Sequence, residues 1–331
     1  MKTLTQRLLN DFQREFPLNP EPFERIAREL DISTDNLLVY LRELQVSGVV
    51  SRVGPVFRPN TIGASTLAAM AVPPSQLEQV AAIINSFAQV NHNYEREHRF
   101  NLWFVVTAKD RQAVETTLDA IRQQTGYDVM SLPLLRDYHI DLGFHIPFDN
   151  ETAITEVTDP SGSMPAPPAD QAATGSAEDL IDAIQGGLPL VPRPYLEIAE
   201  RLGCSEAEII DQLRNLLDNG VIKRLGIVIR HHELGYRANA MVVWDVPDDR
   251  VDRVGVQLGD QDCVTLCYQR PRRLPDWPYN LFCMVHGRDR SEVLACIDRI
   301  SAALDIDAIP HEVLFSGRRF KQRGARYRIQ D

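Results

Sequence analysis

His92, Tyr94, Arg96 and His98 fall at every second position of NHNYEREHRFNLWFVV, residues 91–106. An extended strand sends alternate side chains to one face. The spacing therefore predicts two imidazoles, a phenol and a guanidinium in one column. A core face rejects that set, and a solvated face does not need it. We read the column as the wall of a polar site, with His and Tyr able to move protons and Arg able to grip a carboxylate. A second stretch, TLCYQRPRRLPDWPYNLFCMVHG at residues 265–287, repeats the plan. Tyr94-x-Arg96 recurs as Tyr268-x-Arg270, and Asn101-Leu102-Trp103 as Asn280-Leu281-Phe282.

The frame that must position these groups is long. The chain has 331 residues, enough for several cores, with 44% hydrophobic and 24% charged residues, as in ordinary globular proteins. A formal net charge of −11 argues against general nucleic-acid binding. No apolar run approaches a membrane span, and the start, MKTLTQRLLNDFQREF, is an amphipathic helix pattern rather than a signal peptide. Cys204, Cys263, Cys267, Cys283 and Cys296 are odd in number and lack CxxC spacing, so free buried thiols in a reducing cytoplasm are expected.

Residues 1–60 carry three helical patterns and then VVSRVGPVF, which suggests a hairpin or wing; together they predict a winged helix-turn-helix. Residues 61–149 predict a ferredoxin-like βαββαβ domain, with strand pairs at 90–98 and 100–108 and a last strand at 128–140. Both helices cover one face, so the polar column belongs on the other. Residues 150–179, rich in Pro, Ala, Gly, Ser and acid, read as a flexible linker. Residues 180–232 repeat the winged helix-turn-helix. Residues 233–331 repeat the ferredoxin-like domain and add a basic tail.

The repeat is explicit. Leu30-Asp31-Ile32-Ser33 matches Leu202-Gly203-Cys204-Ser205 at an offset of 172, kept by Gly48 and Gly220, Gly54 and Gly226, and Gly63 and Gly235. Tyr94 and Tyr268 differ by 174, and Asn101 and Asn280 by 179. The fold class is α+β, a tandem duplication that makes an internal pseudo-dimer, each sheet burying its open face on the other. Further homo-oligomers are compatible with it. Both candidate recognition helices are net acidic, by one charge in STDNLLVYLRELQVS and by three in SEAEIIDQLRNLLDN. A helix entering the major groove normally brings Lys or Arg. The helix-turn-helix is thus expected to be scaffold and pairing surface, with no DNA partner.

Two winged helices, each followed by βαββαβ, resemble the Lrp/AsnC architecture. At finer grain, RVGPVF (52–57) and HNYEREHRFNLWF (92–104) resemble the D-type subunit of the siroheme decarboxylase family. RLGIVIRHHELGYRANAMVVWDVPD (224–248), LCYQR (266–270) and WPYNLFCMVHG (277–287) resemble the L-type subunit. The resemblance covers nearly all the chain except the linker. It implies a lyase that removes carbon dioxide from the C12 and C18 acetates of sirohaem, giving 12,18-didecarboxysirohaem for haem d1 biosynthesis. It implies no cofactor, since the iron belongs to the substrate.

A flat macrocycle rimmed with carboxylates asks for aromatic walls and cations at the edge. Trp103, Trp277 and Tyr279 offer walls. His92, Arg96, Arg230, Arg270, Arg272, Arg273, His286 and Arg318 offer edge contacts. The tail, FSGRRFKQRGARYRIQ, is either a carboxylate clamp or a free basic tail. Decarboxylation needs an ionised carboxylate, a ring that accepts electrons, and an acid for the resulting carbon. His98, His231, Tyr94 and Tyr268 are the catalytic candidates. A histidine could instead be an axial ligand to the substrate iron, and the sequence does not separate the roles. An Lrp/AsnC regulator sensing a small molecule or haem, or a tetrapyrrole carrier without chemistry, are the competing readings. No phosphate-binding GxxxxGK or GxGxxG context and no zinc-finger spacing is present.

Overall fold

The computed structural model describes residues 3–58, 60–140, 175–229 and 238–324. Helices α1 (Leu4–Asp11), α2 (Pro22–Glu29) and α3 (Thr34–Val46) precede strand β1 (Val50–Phe57). Their equivalents are α6 (Gly175–Ile184), α7 (Pro194–Leu202), α8 (Glu206–Asp218) and β7 (Ile222–Ile229). The local signals repeat with the fold. Pro22 and Pro194 open α2 and α7, and Ser33 and Ser205 accept the first amides of α3 and α8.

VVSRVGPVF does not form a hairpin. It is one strand, β1, paired antiparallel with β7 of the other half, Gly54 opposite Gly226. Those glycines are equivalents at the offset of 172, so the pseudo-twofold axis passes between them. A side chain on Gly226 would meet the Gln13 carbonyl, and one on Gly54 would meet the Cα of Gly187 at 2.8 Å. Both crossings depend on the missing Cβ. Ile227 N–H donates to Phe12 O at 2.9 Å and Leu188 N–H to Val53 O at 2.7 Å, each across the halves. Leu8, Phe23, Leu41, Tyr195, Ile209 and Ile227 accordingly share one core.

The first ferredoxin-like domain contains β2 (Ala64–Met70), α4 (Leu77–Ser86), β3 (Val90–Arg96), β4 (Leu102–Ala108), α5 (Arg111–Thr125), β5 (Met130–Pro133) and β6 (Arg136–Ile140). The second contains β8 (Ala238–Trp244), α9 (Val251–Gly259), β9 (Val264–Gln269), β10 (Leu281–Gly287), α10 (Arg290–Ala303) and β11 (His311–Gln322). Among the described residues the strand order is β5-β2-β4-β3-β11-β8-β10-β9-β6. Only Leu134 and Leu135 separate β5 from β6, so one continuous stretch of chain supplies both ends of that order.

This arrangement corrects the expected last strand at 128–140. It breaks in two: β5 stays on its own β2, and β6 crosses to β9 of the other half. In the same way β11 starts on β8 and ends on β3. The expected strand at 90–98 also stops short, at Arg96, leaving His98 in the turn before β4. The helices cover the outer faces, with Leu77, Ile84, Phe104 and Leu118 in one core and Val254, Leu281, Val285 and Ile297 in the other. The inner faces meet in a third core: Ala69, Trp103, Leu132, Met241, Val243, Trp277, Phe282 and Leu314. Against the expectation of free thiols, Cys263 and Cys296 form a disulfide; Cys204, Cys267 and Cys283 are free.

Candidate active site

The polar column stands at the margin of that third core. His92, Tyr94 and Arg96 point from β3 into the space between the sheets, and Asn93 turns back to donate to Asn85 Oδ1 at 3.0 Å on α4. The His92 and Tyr94 rings stack with centroids 6.3 Å apart. A bulge at Asn91 brings its amide beside His92. Asn91 Nδ2 donates to Thr107 Oγ1 at 3.4 Å, so its Oδ1 accepts from His92 Nδ1 at 2.8 Å. That fixes the tautomer and leaves the lone pair on Nε2. Burial, helped by the nearby Arg52 guanidinium, holds the His92 pKa down to about 4, so the ring is neutral near pH 7.

Arg96 is 7% exposed. Its Nη1 donates to Leu314 O at 3.0 Å and Ser316 Oγ at 3.1 Å, and its Nη2 faces Met284 Sδ at 3.7 Å. Burial lowers its pKa to about 10 against the opposing pull of Tyr94 and Tyr268. Arg270 does the same from the other half, donating to Leu132 O at 2.5 Å with its guanidinium 5.1 Å from the Tyr268 ring centroid. Burial lowers Arg270 to about 10 and raises the Tyr268 phenol above its ordinary range.

His98 belongs to a different group. Its Nδ1 accepts from Phe100 N–H at 2.9 Å, so Nε2 carries the hydrogen and meets Glu312 Oε2 at 3.1 Å. Tyr279 donates to the other oxygen of Glu312 at 3.0 Å. Trp277, fully buried, stands edge-on to His98 at 5.5 Å, to Tyr279 at 5.0 Å and tilted to Trp103 at 5.2 Å. Burial lowers the His98 pKa while Glu312 opposes it. Burial and then Glu312 raise Tyr279 to about 12. His286 Nδ1 lies 3.0 Å from Thr265 Oγ1 on β9.

Several candidate cations are engaged elsewhere. Arg272 pairs with Asp245 and Asp248, and Arg273 donates to Ser131 O at 2.7 Å. Arg318 pairs with Glu95 and Glu78 on the helix side of β3. Arg230 and His231 lie outside the described residues. Among the described residues no cluster of His, Cys, Asp or Glu could hold a metal ion, and no helix is long and apolar enough to cross a membrane. Glu312 escaped the sequence reading because its partners come from β3's turn and the 272–279 loop. Gln322 escaped because its facing depends on two bulges between β11 and β3, and the same bulges decide that Arg319, part of the tail read as a possible carboxylate clamp, lies opposite Tyr94.

Family models match most of the chain. Residues 62–139 and 233–321 match the AsnC-like ligand binding domain, and residues 5–50 and 178–223 the siroheme decarboxylase NirDL-like HTH domain. The siroheme decarboxylase NirDL subunit of Paracoccus denitrificans is 41% identical over 98% of this chain and 97% of that one. A siroheme decarboxylase of Hydrogenobacter thermophilus is 32% identical over 97% and 94%. A crystal structure of the siroheme decarboxylase NirDL with an iron-uroporphyrin III analogue matches with a TM-score of 0.69 at 30% identity, over 98% of this chain and 94% of that one.

Proposed function

This chain belongs to the siroheme decarboxylase NirDL family, and on that premise we propose that it decarboxylates the C12 and C18 acetates of sirohaem. Each step releases carbon dioxide and consumes one proton, converting an acetate to a methyl group. The full-length match to named siroheme decarboxylases carries the reading. The acidic recognition helices favour it over a DNA-binding regulator: α3 has one more acid than base, and α8 three more. Arg42 of α3, though exposed, donates to Leu190 O at 2.6 Å in the other half.

The inter-sheet margin suits the chemistry. Trp103, Trp277 and Phe282 form the buried apolar core behind that margin, and the half-buried Tyr94 and Tyr268 edge it from the two halves. The macrocycle accepts the electrons left by carbon dioxide. The protein must orient the acetate and supply the proton. His92, neutral and with Nε2 unprotonated, is suited to bind the substrate iron or accept a hydrogen bond, and it does not carry the proton. Tyr94, Tyr268, His98 and His231 remain the candidates for that role, with His98 able to draw on Glu312. Anaerobic incubation of the pure protein with sirohaem, followed by mass spectrometry, tests the function. The expected product has lost two carbon dioxides; recovery of unchanged sirohaem would refute the reading.

A further inference from the structure

The pseudo-twofold makes two equivalent ledges, and their registers allow a residue-by-residue comparison. On the first, the end of β11 lies along β3, with Arg319 opposite Tyr94, Lys321 opposite Asn93 and Gln322 opposite His92. On the second, β6 lies along β9, with Asp137 opposite Tyr268, His139 opposite Cys267 and Ile140 opposite Leu266. Every pair corresponds at the same two offsets, 174 between β3 and β9 and 182 between β6 and β11. Directly opposed residues in an antiparallel pair share a face. The cleft-facing set is therefore Tyr94, His92, Arg319 and Gln322 on one ledge, and Tyr268, Leu266, Asp137 and Ile140 on the other.

The two sets differ in sign and in hydrogen bonding. Arg319 is exposed and oriented by Gln322, whose Oε1 accepts from Nη1 at 3.0 Å. The fixed His92 ring lies opposite Gln322 on the same ledge, and Arg52 of β1 lies near both His92 and Gly324. The other ledge offers a carboxylate where Arg319 stands and two aliphatic side chains where His92 and Gln322 stand. A carboxylate-rimmed macrocycle gains a bidentate partner on the first ledge and meets like charge on the second.

Resting on the decarboxylase reading, we infer that the β3–β11 ledge alone holds the substrate's carboxylates, with Arg319 as the residue that selects it. Asp137 closes the twin ledge to the same ligand, so one chain binds one macrocycle. Arg318, its neighbour, faces the other way and serves the Glu95 and Glu78 pairs instead.

The test is an anaerobic absorbance titration of the full chain with sirohaem and, separately, with iron-uroporphyrin III, alongside turnover. Wild type is expected to bind one macrocycle. Arg319→Gln should weaken both ligands about tenfold or more, the loss equivalent to about 1.4 kcal/mol. It should raise KM more than it lowers kcat, and Arg319→Lys should recover part of the affinity. Asp137→Asn should leave affinity and turnover unchanged, and its circular dichroism and that of Arg319→Gln should match wild type. Two macrocycles per wild-type chain, or wild-type affinity in Arg319→Gln, would overturn the inference while wild-type turnover left the decarboxylase reading standing. Iron-uroporphyrin III binding that depends on Arg319 without any sirohaem turnover would keep the ledge and remove the reading. No binding of either macrocycle by wild type would overturn both.

Discussion

Arg96 reaches from the first half to the carbonyl of Leu314 in the second, 3.0 Å away, and that contact has a mirror image. Arg270 reaches from the second half to Leu132 of the first. Leu132 and Leu314 are equivalent positions where the last strand of each half leaves its own sheet. The Tyr-x-Arg repeat thus combines a cleft-facing phenol with a buried tie across the halves. Replacing Arg96 by Leu leaves a buried carbonyl without its donor, at a cost of about 1–3 kcal/mol. Arg270→Leu should cost about the same. Urea unfolding of both variants measures it, and an unchanged midpoint in either would deny that arginine its seam role.

His92 predicts a pH dependence of stability. Its folded pKa, about 4, lies below the ordinary value of 6.5. Between those values the unfolded chain takes up a proton that the folded chain refuses, so stability rises with pH across the window and falls as pH drops through it. Below about 4 both states are protonated and the contribution is gone. His98, also lowered, adds to the same slope. His92→Gln should flatten stability between pH 4 and 6.5 without abolishing the slope. Chemical denaturation at a series of pH values provides the comparison; an unaltered slope would place His92 in a more solvated setting.

The sequence showed the modules, the repeat and the polar column because each has a local signature: caps, apolar periodicity, alternation. It could not show how strands leave one half for the other. The residues at 128–140 look like one strand, and nothing local says that Leu134 and Leu135 carry the chain to β9. The same limit made VVSRVGPVF look like a hairpin or wing, since its real partner is a strand at a separation no local pattern encodes. Facing on β11 was equally hidden: Arg318 and Arg319 are neighbours of one type, and only the bulged register sends one to Glu95 and the other to Tyr94.

His98 and His231 are tested by turnover. His98→Ala and His231→Ala should each retain the fold and lower decarboxylation by about 10², the usual scale for a lost acid. Glu312→Gln separates the roles further. Glu312 pulls the His98 pKa upward, so its loss lowers that pKa. If His98 donates the proton, the loss of activity with rising pH should begin at lower pH in Glu312→Gln. Wild-type rates in both alanine variants would remove both histidines as donors.

The helix-turn-helix modules are expected not to bind DNA sequence-specifically. Arg42 is committed to Leu190 O, and Arg214 to Asp211 within α8. A nuclease footprint at moderate salt should show no protected site. Protection abolished by Arg214→Ala would restore a DNA-reading role for α8.

The end of β11 should decide whether the first half holds together. From Ser316 onward it pairs with β3, and from Arg318 its side chains grip α4. Arg318 meets Glu78 and Glu95, and Lys321 donates to Asn85 O at 2.6 Å and Phe87 O at 3.0 Å. Burial, with Arg323 nearby, lowers Lys321 to about 8, so its charge at the helix end weakens under mildly alkaline conditions. A chain ending at Gly317 keeps only the Ser316–Arg96 pair and bares the rest of β3 as an edge, with unpaired backbone groups able to recruit another chain. The second half keeps β11 on β8 through Phe315 and so retains its own sheet. We therefore expect the truncated chain to unfold in two steps, the first domain melting earlier, and to aggregate in proportion to concentration. Calorimetry with light scattering would report both. A single transition at the wild-type temperature would mean that β4 and α4 suffice to hold β3 and that the exchanged strand is dispensable.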